Sequence, residues 1–441
     1  MPDIAVLGAG PAGLAAAVAA HQAGARVTVV DAGPRVGGQY WRHQDGDDGR
    51  GHHLWSTLCR LREVPLDFRP NHAIWHVEPT DDGFVTHTSA GEIASRRLII
   101  ATGAYDRQLP FPGWTLPGVF TAGGAQALLK GHGVVAGDRV VVAGTGPFLL
   151  PVAAGLAEAS ARVLGVFEAG SPLGFARHPA AVLRNVTKLT EGAAYLRVLR
   201  RHGIPFHTRK TVVAAHGDDQ VRAVTVGSLD RDWRVVATEK IECDAVAVGY
   251  GFTPQLELPL QLGCDTRLDL DGSLVATADD TQRASVPGVY LAGEVCGVGG
   301  AQLSLVEGEL AGLHAAGVTP SRRLVRRRAA LRAFATAMHR TYPVRQGWQT
   351  WLDDDTLVCR CEEVPVREIR RSIVELGATD PRTVKLLARP GMGLCQGRVC
   401  GYATACLTGP VTAQGLLGLS TRPIAQPVTL GSLAEQPVEE A

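Results

Sequence analysis

Short apolar runs alternate with small-residue helical stretches through most of this chain. "DIAVL" at 3–7 reads as a buried parallel strand. "GAGPAG" follows, then a helix in "LAAAVAAHQAG", then a second strand in "RVTVVD" that closes at Asp31. The same order returns in "DRVVVAGTGPFLLPVAAGLAEASARVLGVFEAG", which ends at Gly170. "KLTEGAAYLRVLRRHG" reads as a helix, and period-two alternation around 205–241 reads as strands. A buried strand returns in "CDAVAVGYGFTP", and "GVYLAGEVCGVGGAQLSLVEGELAG" reads as strand, glycine loop and helix. Alternation of this kind predicts an α/β fold with parallel sheets. Beyond it, "SRRLVRRRAALRA" at 321–333 predicts a basic helix with a solvated face, and "REIRRSIVELG" a further helix. The proline-bearing end, "STRPIAQPVTLGSLAEQPVEEA", is expected to cross the surface in extended form. The expected division is a discontinuous unit 1–110 plus 243–320, an insertion 111–242, a helical linker 321–354, a small domain 355–411 and a tail 412–441.

Composition narrows the class. The 441 residues are 45% hydrophobic and 20% charged, which suits ordinary globular domains. A net charge of +1 gives no reason to expect nucleic acid or an anionic membrane as partner. No apolar run reaches membrane-spanning length, and "MPDIAVLGAG" enters a strand without a basic leader, so a cytoplasmic location is expected. In a reducing compartment, paired cysteines point to metal or redox chemistry rather than structural disulfides. Cys59, Cys243, Cys264, Cys296 and Cys406 are scattered and read as small buried hydrophobes.

The first glycine run has a task for each residue. Gly8 permits the turn, Gly10 lets backbone approach a pyrophosphate, and Gly13 lets helix and strand pack closely. The helix opening at Pro11 and Ala12 offers free N–H groups to phosphate, and Asp31, followed by Ala32, can accept from ribose hydroxyls. The second unit keeps Gly144, Gly146 and an acid at Glu168, but Leu149 holds the third-glycine position. Leucine there is expected to push helix and strand apart and crowd the pyrophosphate, so this unit reads as degenerate. Near the far end, "CRCEEV" and "CQGRVC" carry Cys359, Cys361, Cys395 and Cys400. Four converging thiolates suit a [2Fe–2S] cluster, and they also suit structural zinc. The C-x-C spacing and the redox body beside it favour the cluster. His52, His53, His132, His178 and His202 form no catalytic constellation, and Arg177–His178 is the single pair worth testing.

These motifs in this order resemble the two-dinucleotide-binding-domain flavoproteins of the thioredoxin- and glutathione-reductase type. The residues that carry the resemblance are "GAGPAG" with Asp31, "GGQYW" at 37–41, "ATG" at 101–103 and "GVYLAGE" at 288–294. The resemblance implies FAD in the first unit. Gly38 and Gln39 would lie along the cofactor, and Thr102 and Gly103 near its diphosphate end. Gly293 and Glu294 would meet the ribitol and pyrophosphate, and Ala301 and Gln302 would open the helix aimed at the flavin pyrimidine edge. The chain departs from that pattern in two ways: it has no C-x-x-C pair, which excludes disulfide reduction of that type, and Glu294 replaces the usual Asp.

The quartet is similar to the bacterioferritin-associated-ferredoxin-like [2Fe–2S] domain. Together with the flavoprotein body it resembles the alpha (A) subunits of opine oxidases, hydrogen cyanide synthase and D-hydroxyproline dehydrogenase. That resemblance implies a partner, an amine-oxidase-like, FAD-dependent beta subunit. It also allows a small third subunit. The partner would oxidise a C–N bond of a secondary amine or amino acid, and this chain would carry the electrons. Two other readings stand beside it: a self-contained NAD(P)H-dependent reductase, and a scaffold whose cofactors are structural.

Overall fold

The computed structural model describes residues 1–49, 52–422 and 424–434. The first sheet runs Val289–Leu291, Arg97–Ile100, Ile4–Leu7, Val27–Val30, Asp67–Arg69, with every neighbouring pair parallel. Ile4–Leu7 and Val27–Val30 are buried at every position, which is why they read as unbroken apolar runs. The alanine-rich helix Pro11–Gln22 packs on the helix Ala301–Ala315 through small residues. A side chain at Gly308 would meet the Ala12 carbonyl oxygen at 2.0 Å, and one at Gly312 the Ala16 oxygen at 2.2 Å. That close approach sets both helix starts at the carboxyl edge of the sheet.

The inserted unit repeats this plan. Its parallel sheet runs Phe206–Thr208, Arg162–Glu168, Arg139–Gly144, Ala245–Gly249, Val119–Thr121, so the strand Ala245–Gly249 belongs here and the expected boundary at 242 falls short of it. An antiparallel sheet of Lys210–His216, Ala223–Leu229 and Val235–Glu242 flanks it. Two antiparallel strands, Ala104–Asp106 and Phe252–Pro254, join insertion and first unit as a hinge, with Tyr105 opposite Thr253.

The small domain has a hairpin, Leu357–Cys359 with Val364–Pro365, and the helices Val366–Val374, Pro381–Ala388 and Gly401–Thr408. It shares one apolar core with the insertion: Val358, Ile369 and Val384 join Trp114, Val212, Val246 and Trp348 in a single buried cluster. Indole hydrogen bonds pin this junction. Trp114 Nε1 donates to the Leu357 carbonyl at 2.6 Å, and Trp351 Nε1 to that of Trp233 at 2.9 Å. The Trp233 and Trp351 rings stack 6.1 Å apart.

Three expectations are corrected here. The tail does not simply cross the surface: Ala413–Ser420 is a helix, and Leu416, Leu419 and Ala425 are buried in the first unit's core. Leu416 and Leu419, three apart on the helix, turn inward and Ala425 follows beyond the helix end, while residues 423 and 435–441 lie outside the described residues. In the basic helix Arg322–Thr341, Arg322, Arg323, Arg326 and Arg327 are exposed, but Arg328 and Arg332 turn inward. Arg332 Nη2 meets the fully buried Glu307 carboxylate at 2.5 Å and Arg328 Nε lies 3.5 Å from it, so the helix is fastened to Ala301–Ala315. Leu149 is taken into the apolar core. It is buried against Gly249 of the neighbouring strand, where a Cβ would lie 3.4 Å from Leu149 Cδ2. The adjustment falls on the helix start instead: the first helix is capped by Gly10, the second by Phe148, two motif positions later.

Candidate functional site: a dinucleotide cradle and a four-cysteine pocket

Four parallel strands deliver their ends to one edge, the place where open α/β sheets bind ligands. Gly8 follows the first strand, Asp31 the second, Thr102 the strand Arg97–Ile100, and Gly293 the strand Val289–Leu291. Gly8 has φ +108°, and a side chain there would meet the Ala101 carbonyl oxygen at 2.4 Å. A Cβ at Gly13 would lie 1.7 Å from the Gly8 oxygen, so strand and helix touch as the motif requires. Gly38 lies against Gly10, where its Cβ would be 2.9 Å from the Gly10 Cα, while Gln39 is exposed and accepts from Arg42 at 2.8 Å. Gly10, Gly103 and Gly300 face open space: a Cβ on any of them would meet nothing within 4 Å. Bare backbone with room in front of it is what a pyrophosphate needs, and these residues fit FAD.

Asp31 accepts from the Ala9 and Gly33 N–H groups at 2.6 Å each, which aims its carboxylate across the turn. Burial raises its pKa against those two hydrogen bonds. Ala32 is exposed beside it, and Pro11 and Ala12 form the first turn of the helix. Thr102 Oγ1 donates to the Gln255 carbonyl at 3.0 Å, tying this edge to the hinge. Glu294 turns back on its own chain and accepts from the Gly300 N–H at 2.9 Å. Its extra methylene therefore braces the loop that opens the helix at Ala301 and Gln302.

The second unit uses its acid differently. Glu168 is buried and accepts from Thr145 Oγ1 at 2.7 Å, the Gly170 N–H at 2.7 Å and the Gly146 N–H at 2.8 Å. Burial outweighs these three donors and raises its pKa to about 7. A side chain on Gly170 would sit 3.1 Å from Glu168 Oε1 and 3.4 Å from the Tyr342 ring, so Tyr342, just past the arginine-rich helix, flanks the acid. Phe175, on the turn after Gly170, stacks on Phe334 of that helix at 5.7 Å.

The four cysteines come together in pairs taken across the two motifs. Cys359 and Cys400 are buried and hydrogen-bonded to one another; Cys395 is half-buried and faces the exposed Cys361. The Cys400 thiol and the N–H groups of Gly391, Glu362 and Cys361 point at the Cys359 sulfur, holding its pKa below the ordinary thiol value against its burial. Thiolates grouped two by two, with backbone donors aimed at sulfur, fit two irons better than one tetrahedral zinc. Gly391, at φ +83°, lies close to Gly397 and supplies the tight loop. Arg177 and His178 lie in and after an exposed turn and, among the described residues, are grouped with neither set of site residues.

Fold and site together define a flavoprotein oxidoreductase body carrying an iron–sulfur domain. Residues 2–317 match the pyridine nucleotide-disulphide oxidoreductase family, and residues 357–407 match the BFD-like [2Fe-2S] binding domain. The chain belongs to the pyridine nucleotide-disulphide oxidoreductase family, and its cofactors are FAD and a [2Fe–2S] cluster. It is 35% identical to the opine oxidase A-subunit of Rhizobium meliloti, over 98% of each chain. It is 33% identical to hydrogen cyanide synthase subunit HcnB of Pseudomonas protegens, over 90% of each. Among solved structures, L-proline dehydrogenase from P. horikoshii is similar in fold, with TM-score 0.69 and 20% identity over 98% of this chain and 79% of that one. Among the described residues, no helix is long and apolar enough to cross a membrane.

Reading motifs alone missed the residues that join the two sites. Arg107 is buried in the hinge, 2.8 Å from Asp271, with its guanidinium 4.2 Å over the Tyr402 ring of the cluster domain. Arg398, inside the second cysteine motif, donates to the Tyr105 hydroxyl of the hinge at 2.8 Å. Arg398 was visible in "CQGRVC"; Glu257 and Arg422, which complete that contact, sit in no motif.

Proposed function

We propose that this chain is the electron-transfer subunit of a multi-subunit amine dehydrogenase or oxidase. A partner subunit, amine-oxidase-like and FAD-dependent, removes electrons from a C–N bond of a secondary amine or amino acid, in the class of opines or hydroxyproline. A small third subunit is compatible with this assembly. The relatives named above as subunits, similar over nearly the full length, support the reading. The observation that carries it is the state of the second dinucleotide unit. Glu168, the acid that would accept from a nicotinamide cofactor's ribose, accepts from three internal donors where Asp31 accepts from two, and it is buried and flanked by Tyr342. Near neutral pH it is also partly protonated, and so a poor acceptor. Without hydride from a bound nicotinamide, electrons must come from another protein.

A bound flavin would accept an electron pair and release it one electron at a time, and an iron–sulfur cluster would carry those single electrons onward. The chain's own residues hold and orient. Gly10 and Gly103 keep the pyrophosphate approach open, and Asp31 offers its remaining lone pairs to ribose hydroxyls. The helix start at Pro11–Gly13 presents N–H groups and a positive dipole end to phosphate. Glu294 braces the loop before Ala301 and Gln302, and the amides around Cys359 stabilise negative charge on sulfur. The proposal assigns the chain to the cytoplasm, where thiolates stay reduced.

The test is anaerobic reduction of the purified full chain. NADH, NADPH and candidate amines should each leave the flavin unbleached, and adding the partner subunit with its amine should reduce flavin and cluster together. Rapid bleaching by NADH at low concentration overturns the proposal in favour of a self-contained reductase.

A further inference from the structure

The contact between the cluster domain and the hinge is a charged cage with an odd number of charges. Arg398 Nε lies 2.7 Å and Arg422 Nη1 3.3 Å from the same oxygen, Glu257 Oε1. The three side chains are 15%, 11% and 11% exposed, so the group is nearly closed to solvent. Two guanidinium groups facing one carboxylate leave one net positive charge. Tyr105 does not cancel it: burial raises its pKa to about 12, so its hydroxyl stays neutral.

This charge lies on the ligand loop itself. Arg398 is between Cys395 and Cys400 in the chain, and its Nη1 donates to the Cys395 carbonyl at 3.3 Å. Arg422 Nη2 donates to the carbonyl of Gln396, the next residue. A further ionic contact, Arg389 with Glu362 at 3.0 Å beside Cys361, is self-neutral, and its arginine is exposed. Lys385 adds a half-buried positive charge on the Cys400 side. Among the described residues no second carboxylate is paired with Arg398 or Arg422.

We infer that Arg422, Arg398 and Glu257 set the reduction potential of the cluster held by Cys359, Cys361, Cys395 and Cys400, with Arg422 the surplus charge that raises it. The inference rests on the electron-transfer reading. A tetrathiolate cluster becomes more negative by one charge on reduction, and a nearby positive charge in a poorly solvated region favours that form. These are positioning residues: they touch the ligand loop's backbone and not the cysteine sulfurs. Their arrangement gives the effect a sign. Removing Arg422 leaves the neutral Arg398–Glu257 pair, whereas neutralising Glu257 leaves two uncompensated guanidinium groups.

The experiment is a dye-mediated redox titration of the full-length holoprotein, following the paramagnetic signal of the reduced cluster. Arg422→Gln should lower the midpoint and Glu257→Gln should raise it, each by a several-fold change in the reduced-to-oxidised ratio at fixed potential. Arg422→Lys keeps the charge and should leave the midpoint near that of the parent. The glutamine at 257 still offers an oxygen to both arginines, so the cage keeps its shape. Loaded variants whose midpoints shift together, or not at all, overturn the inference. So does loss of iron in Arg422→Lys as well as in the two neutral variants, because the cage is then only structural. A parent chain without iron and acid-labile sulfide overturns the electron-transfer reading, and this inference with it.

Discussion

At the residue scale, glycines of one motif do different work, and substitution separates them. Gly13 has no space, since an added Cβ would lie 1.7 Å from the Gly8 oxygen; Gly10 has open space. Gly13→Ala should therefore damage folding, lowering the thermal midpoint and the yield. Gly10→Val should fold and lose the flavin spectrum, because its side chain fills pyrophosphate room. Flavin retained at full occupancy in a folded Gly10→Val protein would place the cofactor elsewhere. Glu168 gives a pH signature. Its carboxyl is raised from an ordinary 4.5 to about 7, so its contribution to stability is complete below 4.5 and is lost as pH rises through 7. The decline is on the order of 3 kcal/mol for full titration. Thermal midpoints measured across that range should fall, and Glu168→Gln should flatten the slope whatever its baseline cost. An unchanged slope in the variant would assign the decline to other groups.

At the element scale, the two dinucleotide units show what a sequence displays and what it hides. Strand, turn, helix and acid were legible in both, because buried parallel strands and small-residue helices have strong periodicities. Leu149 marked the second unit as altered, yet the accommodation could not be read from its own segment. It depends on Gly249, a hundred residues away on the neighbouring strand, and on a helix that starts late. The covering of Glu168 by Tyr342 was likewise invisible, since it needs a linker helix docked against a distant loop. The consequence is a prediction: Leu149→Gly alone should not create NADH-dependent flavin reduction, because Glu168 and Tyr342 are untouched. It should cost stability by about 2–5 kcal/mol, as loss of a buried leucine does. NADH bleaching in that variant, followed by stopped flow, would show that steric crowding was the whole obstacle.

At the scale of the whole molecule, the cysteine quartet was fully visible in the sequence, but its seat was not. Nothing local in "CRCEEV" or "CQGRVC" says that the domain grips the hinge or shares a core with the insertion. The grip rests on Arg107 and Tyr105 of the hinge, and the core on Trp114, Trp233, Trp348 and Trp351, scattered positions that no motif connects. Trp348 is fully buried at this junction. Trp348→Ala should destabilise the molecule by about 3–5 kcal/mol. Hydrogen exchange should then rise together in the sheet Arg139–Gly144 and the helix Val366–Val374, as one cooperative unit. Acceleration confined to the small domain would mean that the core is divided.

The shared core makes the order of the insertion depend on the order of the small domain. If iron is scarce, four cysteine sulfurs lose what holds them together, and Cys359 and Cys400 belong to the same buried cluster as the insertion's tryptophans. Loosening the small domain then uncovers apolar surface on a unit that contains no iron ligand. The expected outcome is that iron starvation lowers the amount of the whole chain, flavin-bearing body included; equal amounts on immunoblots of iron-replete and iron-starved cells would mean that the two are independent.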